Sequence, residues 1–109
     1  MTVKDFKEKA NLTALCLPEP DREIRGGYVG DLLSWVMGRA KADDAWITIM
    51  SNQNILAVAA LADVACVILA EGVTLESEIL KTAEEKGINV LSSDKDSFSL
   101  CAALASETL

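Results

Sequence analysis

The sequence predicts an α/β domain: one three-layer unit over residues 1–109, with a mostly parallel sheet flanked by helices on both faces. Three observations predict it. Runs that are apolar throughout, such as Trp46–Met50 and Cys66–Leu69, read as strands buried on both faces. Helix-period stretches of roughly a dozen residues separate them, the spacing of crossover connections. Hydrophobic residues make up 50% of the 109 but aromatics only 5%, so the core must be aliphatic and alanine-rich.

In chain order, Thr2 caps a short opening helix whose apolar face is Val3, Phe6 and Ala10. Thr13–Leu17 is a first strand, stopped by Pro18 and Pro20. Glu23–Val29 is extended, with Gly26-Gly27 weakening it as a clean strand. Asp31 caps a helix with Leu32, Leu33, Val36, Met37 and Ala40 inward, and Asp43-Asp44 is a solvated turn. After the Trp46–Met50 strand, Ser51–Asn54 form a polar loop and cap ahead of an Ile55–Ala62 helix. Cys66–Leu69 is the next strand. Thr74 caps a helix with Leu75, Ile79, Leu80 and Ala83 inward and Glu76 and Glu78 in its favourable first turn. Gly87 ends that helix in a left-handed conformation, and Ile88–Leu91 is the following strand. Asp96 or Ser97 starts a last helix carrying Phe98, Cys101, Ala102 and Ala105.

Charge excludes several functions. The net charge is −7, and its distribution is uneven. Residues 1–41 hold seven basic and six acidic groups, whereas residues 42–109 hold three and eleven. Such a surface repels nucleic-acid phosphates and anionic membranes. Any anion site must draw on Arg22, Arg25, Arg39 or Lys41. Cys16, Cys66 and Cys101 are widely spaced and the chain has no histidine, so a zinc site and a thiol–imidazole pair are excluded. The cysteines read as reduced core residues. Met1–Ala10 mixes charges without an apolar core, and the most apolar stretch, Ile55–Ala70, contains Asp63 and is too short for a membrane span. A cytoplasmic location is expected.

No phosphate loop of the form GxxxxGK[ST] occurs, and Gly26-Gly27-Tyr28-Val29-Gly30 lacks the GxGxxG spacing. With no GxSxG elbow either, no catalytic residues, metal or cofactor are expected. Three polar segments remain. Asp21-Arg22 with Arg25-Gly26-Gly27 is either an anion-binding turn or an internal Asp21–Arg22 or Arg25–Asp31 ion pair. Ser51-Asn52-Gln53-Asn54 is either helix capping or a ligand contact at a strand's carboxyl end, where open α/β sheets bind ligands. Ser92-Ser93-Asp94 reads as a cap and turn. The expected ligand site is where Arg22, Gly26 and Gly27 meet Ser51, Asn52, Gln53 and Asn54.

These residues also carry a resemblance. The order Asp21-Arg22-x-x-x-Gly26-Gly27-Tyr28-x-Gly30-Asp31-x-Leu33-Ser34 resembles the opening of a DRTGG domain. Trp46-Ile47-Thr48, the Ser51–Asn54 loop, Ile68-Leu69, Ile79-Leu80 and Val90-Leu91-Ser92 continue that pattern. Asp21 and Arg22 match the first two letters of the family's name and Gly72 the last, with Ala70 and Glu71 where the family has Thr and Gly. The resemblance implies the fold of the N-terminal domain of HPr kinase/phosphorylase. It also implies kinship with domains of some phosphotransacetylases and of CBS-domain pyrophosphatases. It further implies a regulatory or assembly module, often at a dimer interface and without established catalytic residues.

The reading is therefore a non-catalytic regulatory module that forms a homodimer and takes a small metabolite, an adenine nucleotide as the leading class. The alternative is a protein-docking subunit with no small ligand. Trp35 and Met37 flank Val36 and cannot all face one core stripe, so one of them is expected to meet a partner subunit.

Overall fold

The computed structural model describes all residues, 1–109. Its elements run α1 (Val3–Lys9), β1 (Thr13–Cys16), β2 (Gly26–Val29), α2 (Leu33–Arg39), β3 (Asp44–Thr48), α3 (Asn54–Ala62), β4 (Cys66–Leu69), α4 (Ser77–Glu85), β5 (Val90–Ser92) and α5 (Ser97–Thr108). The five strands form one sheet in the order β1-β5-β4-β3-β2. Strands β2 to β5 are mutually parallel and β1 joins β5 antiparallel, so the α/β class holds.

Winding decides the layering. Parallel strands laid down in order and joined by right-handed crossovers place every crossover helix on the same face. That face packs α2, α3 and α4 through Val36, Ile55, Leu56 and Ala83 against Trp46, Val67, Leu69 and Val90. The other face would stay bare. It is covered from the two ends of the chain, by α1 with Val3 and Phe6 and by α5 with Leu100 and Leu104, over Ala45, Ile47, Cys66, Ile68 and Leu91. Alternate residues of each strand thus feed two separate apolar clusters, which explains why the strands are apolar throughout.

Caps follow local chemistry where the sequence offers one. Thr2 and Asp5 form a reciprocal capping box on α1. Asp96 caps α5 by accepting from the Ser99 N–H at 2.8 Å. Gly87, at φ +72°, follows α4 as expected.

Several expectations need correction. Asp31 is not a helix cap: α2 starts from Leu32 without a side-chain cap, and Asp31 Oδ1 accepts from Thr48 Oγ1 (2.8 Å) and Ile49 N–H (2.9 Å) instead. Its carboxylate ties the β2 end to β3. Thr74 is not a cap either, because Leu75 must be buried first and α4 begins after Glu76. On α2 only Val36 is fully buried, while Leu32 and Met37 are exposed along with Trp35. On α5 the buried stripe is Leu100 and Leu104, and Phe98 is 82% exposed. Both Phe98/Cys101/Ala105 and Leu100/Leu104 have helical spacing, so periodicity alone could not choose between them. The Asp43-Asp44 turn is solvated only in part, with Asp43 in the turn and half-buried. Asp44 is buried at the start of β3 and accepts from Lys41 N–H at 2.8 Å.

Of the two glycines expected to weaken β2, Gly27 has a packing role. A Cβ on Gly27 would collide with Leu104 Cδ2. The absence of a side chain lets α5 settle against the strand.

Two outcomes follow from this packing. Gly27→Ala should destabilise by about 1 kcal/mol, because overpacking costs about 1–3 kcal/mol and replacing a strand glycine returns up to about 1. Urea melts of the single variant and of the same change in a Leu104→Ala background check it: the penalty should vanish once Leu104 is truncated. Backbone and side-chain hydrogen bonds from Thr2 and Ser99, respectively, hold the Asp5 and Asp96 carboxyls below the usual 3.8. A depressed folded value means their stabilisation is complete above pH 3.8 and is lost as pH falls through the lower folded value. The difference in thermal midpoint between the parent and Asp96→Ala should therefore shrink below about pH 4.

Candidate functional site

Strand direction decides which polar residues can share a ligand. In the β2–β3 register Gly26 lies level with Asp44 and Val29 with Ile47. Gly26 and Gly27 are therefore at the amino end of the sheet. Ser51–Asn54 follow the carboxyl end of β3, one strand length away, roughly 13 Å at about 3.3 Å per residue. The expected meeting of Arg22, Gly26 and Gly27 with Ser51–Asn54 does not form. Both segments are in loops or strands as anticipated, but at opposite ends.

At the amino end, charge is consumed internally. Arg22 Nη2 donates to the Asp63 carbonyl (2.6 Å), to Asp63 Oδ1 (2.8 Å) and to Asp43 Oδ1 (3.2 Å). Asp43 and Asp63 both have left-handed backbones, at φ 69° and 57°, in the turns that lead into β3 and β4. The guanidinium clips these turns together, and Asp43 N–H bonds to the Asp63 carbonyl at 2.9 Å. Burial works against the Arg22 charge, but the hydrogen bonds to Asp63 and Asp43 outweigh it and raise its pKa. Arg25 pairs with Asp43 as well, at 3.2 Å. Neither expected pair, Asp21–Arg22 or Arg25–Asp31, is present, because parallel neighbours β3 and β4 bring two aspartates closer to Arg22.

The carboxyl end is open. Asn52 Oδ1 accepts from Asn54 N–H at 2.9 Å, a local turn that precedes α3. Gln53 takes the cap position without using its side chain. Ser51, Asn52, Gln53 and Asn54 are all exposed and line a groove of about 730 Å³ between the start of α3 and α4. Its other wall carries Glu76, Glu78, Thr82 and Lys86, with Leu56 and Ile79 at its floor. The volume falls in the range of small-molecule sites. Thr82 and Lys86 have no role in the sequence reading and Glu78 only that of a first-turn acid, although their i, i+4, i+8 spacing sets all three on one side of α4. Nearby, the loops after β4 and β5 are locked together: Glu71 N–H bonds to the Lys95 carbonyl and Gly72 N–H to the Ser93 carbonyl, at 2.9 and 2.8 Å. Ser93 Oγ accepts from Lys95 N–H, the turn role expected of it.

Thiol chemistry is suppressed. Burial, and secondarily a hydrogen bond to Glu84, pushes the Cys16 thiol up to about 12. Burial alone takes Cys66 to about 12 and raises Cys101. No three His, Cys, Asp or Glu side chains gather as a metal site, and no helix is long and apolar enough to cross a membrane.

The sequence profile of the DRTGG domain matches residues 29–106, which is 78 of the 109. The match opens at the last residue of β2, leaving Asp21, Arg22, Gly26 and Gly27 outside it. A solved structure of the CBS and DRTGG domains of the regulatory region of Clostridium perfringens pyrophosphatase, complexed with its activator diadenosine tetraphosphate, is similar in fold. The TM-score is 0.74 at 19% identity. The similarity covers 99% of this chain, which spans 47% of that one. Among curated proteins, none matches.

Thiolate reactivity tests the suppression. At pH 8 a chromogenic disulfide should label native protein slowly and all three cysteines quickly in denaturant, since only the thiolate reacts. One cysteine labelled in the native state as fast as a free thiol would contradict these raised values.

Proposed function

The chain belongs to the DRTGG-domain family, and on that premise we propose that it is a non-catalytic regulatory module that self-associates and takes a small metabolite, an adenine nucleotide in class. The groove lined by Ser51, Asn52, Gln53 and Asn54 is the observation that carries this reading. Hydroxyl and amide side chains supply both donors and acceptors, the mixture that a purine's edge requires. Leu56 and Ile79 offer an apolar surface for the ring, and Lys86 is the one cation on the wall for a phosphate. Glu76 and Glu78 oppose a highly charged anion, so affinity should be micromolar. Arg22, Gly26 and Gly27 drop out of the ligand site: Arg22 is spent on Asp43 and Asp63, and Gly27 makes room for Leu104.

Regulation rather than catalysis is supported by raised thiols and a chain without histidine. A protein-docking role without a ligand is favoured by one observation, the exposure of Leu32 just before α2 and of Trp35 and Met37 on it.

A thermal-shift series with AMP, ATP and diadenosine tetraphosphate tests the nucleotide reading, because saturation at about 100 times the dissociation constant adds about 2.7 kcal/mol. Calorimetry on the best nucleotide should then show Lys86→Ala weakening binding about 10- to 150-fold and Asn52→Ala by up to about tenfold. Arg22→Ala should bind as the parent does. No shift with any nucleotide at millimolar concentration would overturn the ligand and favour docking.

A further inference from the structure

Strand β2 is the outermost strand at its side of the sheet and has a single neighbour, β3. Gly30 N–H donates to the Ile47 carbonyl at 3.2 Å. Alternation along the strand then turns the N–H and C=O groups of Gly27 and Val29 outward, away from β3. Both residues are exposed. Natural edges are protected by lysine, proline or a bulge, but Gly-Gly-Tyr-Val has none of these. Beside it runs an apolar groove of about 220 Å³ between β2 and α5, lined by Val29, Ile47, Cys101, Ala105 and Leu109.

Charge points to the occupant. Two copies of a chain at −7 repel over most of their surface, and the acidic excess lies beyond residue 41. From Gly26 to Gly30 there is no charge at all. An isologous two-fold axis beside β2 pairs the strand antiparallel with itself. With Tyr28 on that axis, Gly27 stands opposite Val29 of the partner, and each pair exchanges two N–H···O bonds. The same register sets Arg25 opposite Asp31 of the partner at both ends. Arg25 is 74% exposed and exchanges its 3.2 Å pair with Asp43 for the partner's Asp31, which has an oxygen free beyond the one held by Thr48 and Ile49. The Arg25–Asp31 pair that is absent within one chain becomes available between two.

We propose that a second copy of this chain docks on β2, joining the two sheets through Gly27 and Val29 and closing with Arg25–Asp31 pairs. This deepens the self-association proposed above and rests on it. The two-fold register makes an unusual demand. Arg25→Asp alone and Asp31→Lys alone each set like charges together twice, whereas a mixture of the two variants restores both opposite pairs.

Sedimentation equilibrium at tens of micromolar provides the test. The parent should have twice the 11.7 kDa chain mass, each variant should weaken the dimer at least tenfold, and the mixture should recover it. Because Asp31→Lys gives up the bond to Thr48, a Tyr28→Cys variant supplies a second readout. Cross-axis Cα atoms in such a pair are about 4.5 Å apart, within disulfide range, so oxidation should yield a covalent dimer. Leu61→Cys, exposed on α3, should not cross-link. A monomeric parent would overturn self-association altogether. A parent dimer that survives Arg25→Asp, with no cross-link through Tyr28→Cys, would overturn this interface and leave self-association standing.

Discussion

One-way winding is the constraint on which the rest of the structure depends. Four parallel strands laid in order send α2, α3 and α4 to one face, and the sheet is stable only if something else covers the other. The chain uses its two ends for this. Each large apolar side chain buried there contributes about 1.5–3 kcal/mol, against a net stability of only about 5–15 kcal/mol for a domain. Val3, Phe6, Leu100 and Leu104 are therefore as essential as any strand residue. The requirement propagates inward: α5 must lie against β2, so position 27 has no side chain.

Winding also separates the two ends of the sheet by role. Turns that enter β3 and β4 meet at the amino end, where two left-handed aspartates draw in Arg22 and neutralise it. At the carboxyl end the loops after β4 and β5 are tied to each other, and the space between α3 and α4 stays open. Arg22 and Arg25 are thus absorbed where the strands begin, whereas the uncharged Ser51–Asn54 remain where they end, facing Lys86 as the one cation on the groove wall.

Much of this was legible in the sequence because it rests on local chemistry. Cys66–Leu69 is a strand with the expected bounds, and Thr2, Gly87 and Asp96 cap or terminate as their residue types require. Ser51–Asn54 were correctly set beyond the end of β3. What failed depends on tertiary geometry. Asp31 has the chemistry of a cap, yet Thr48 lies closer once β2 and β3 pair. Phe98 and Leu100 start equally regular apolar stripes, and only the position of β2 selects the second. Gly26-Gly27 and Ser51–Asn54 were joined because a linear sequence does not show that a strand of four residues carries the chain from one end of the sheet to the other.

A sheet wound one way also keeps its first parallel strand as an open edge, and the central claim is that this edge is completed by another copy. Amide hydrogen exchange at two protein concentrations measures that most directly. Gly27 and Val29 should exchange rapidly in dilute protein and become protected where the dimer is populated, while Gly30, already bonded to Ile47, should stay unchanged. Rapid exchange of Gly27 and Val29 in a sample that is fully dimeric would contradict it.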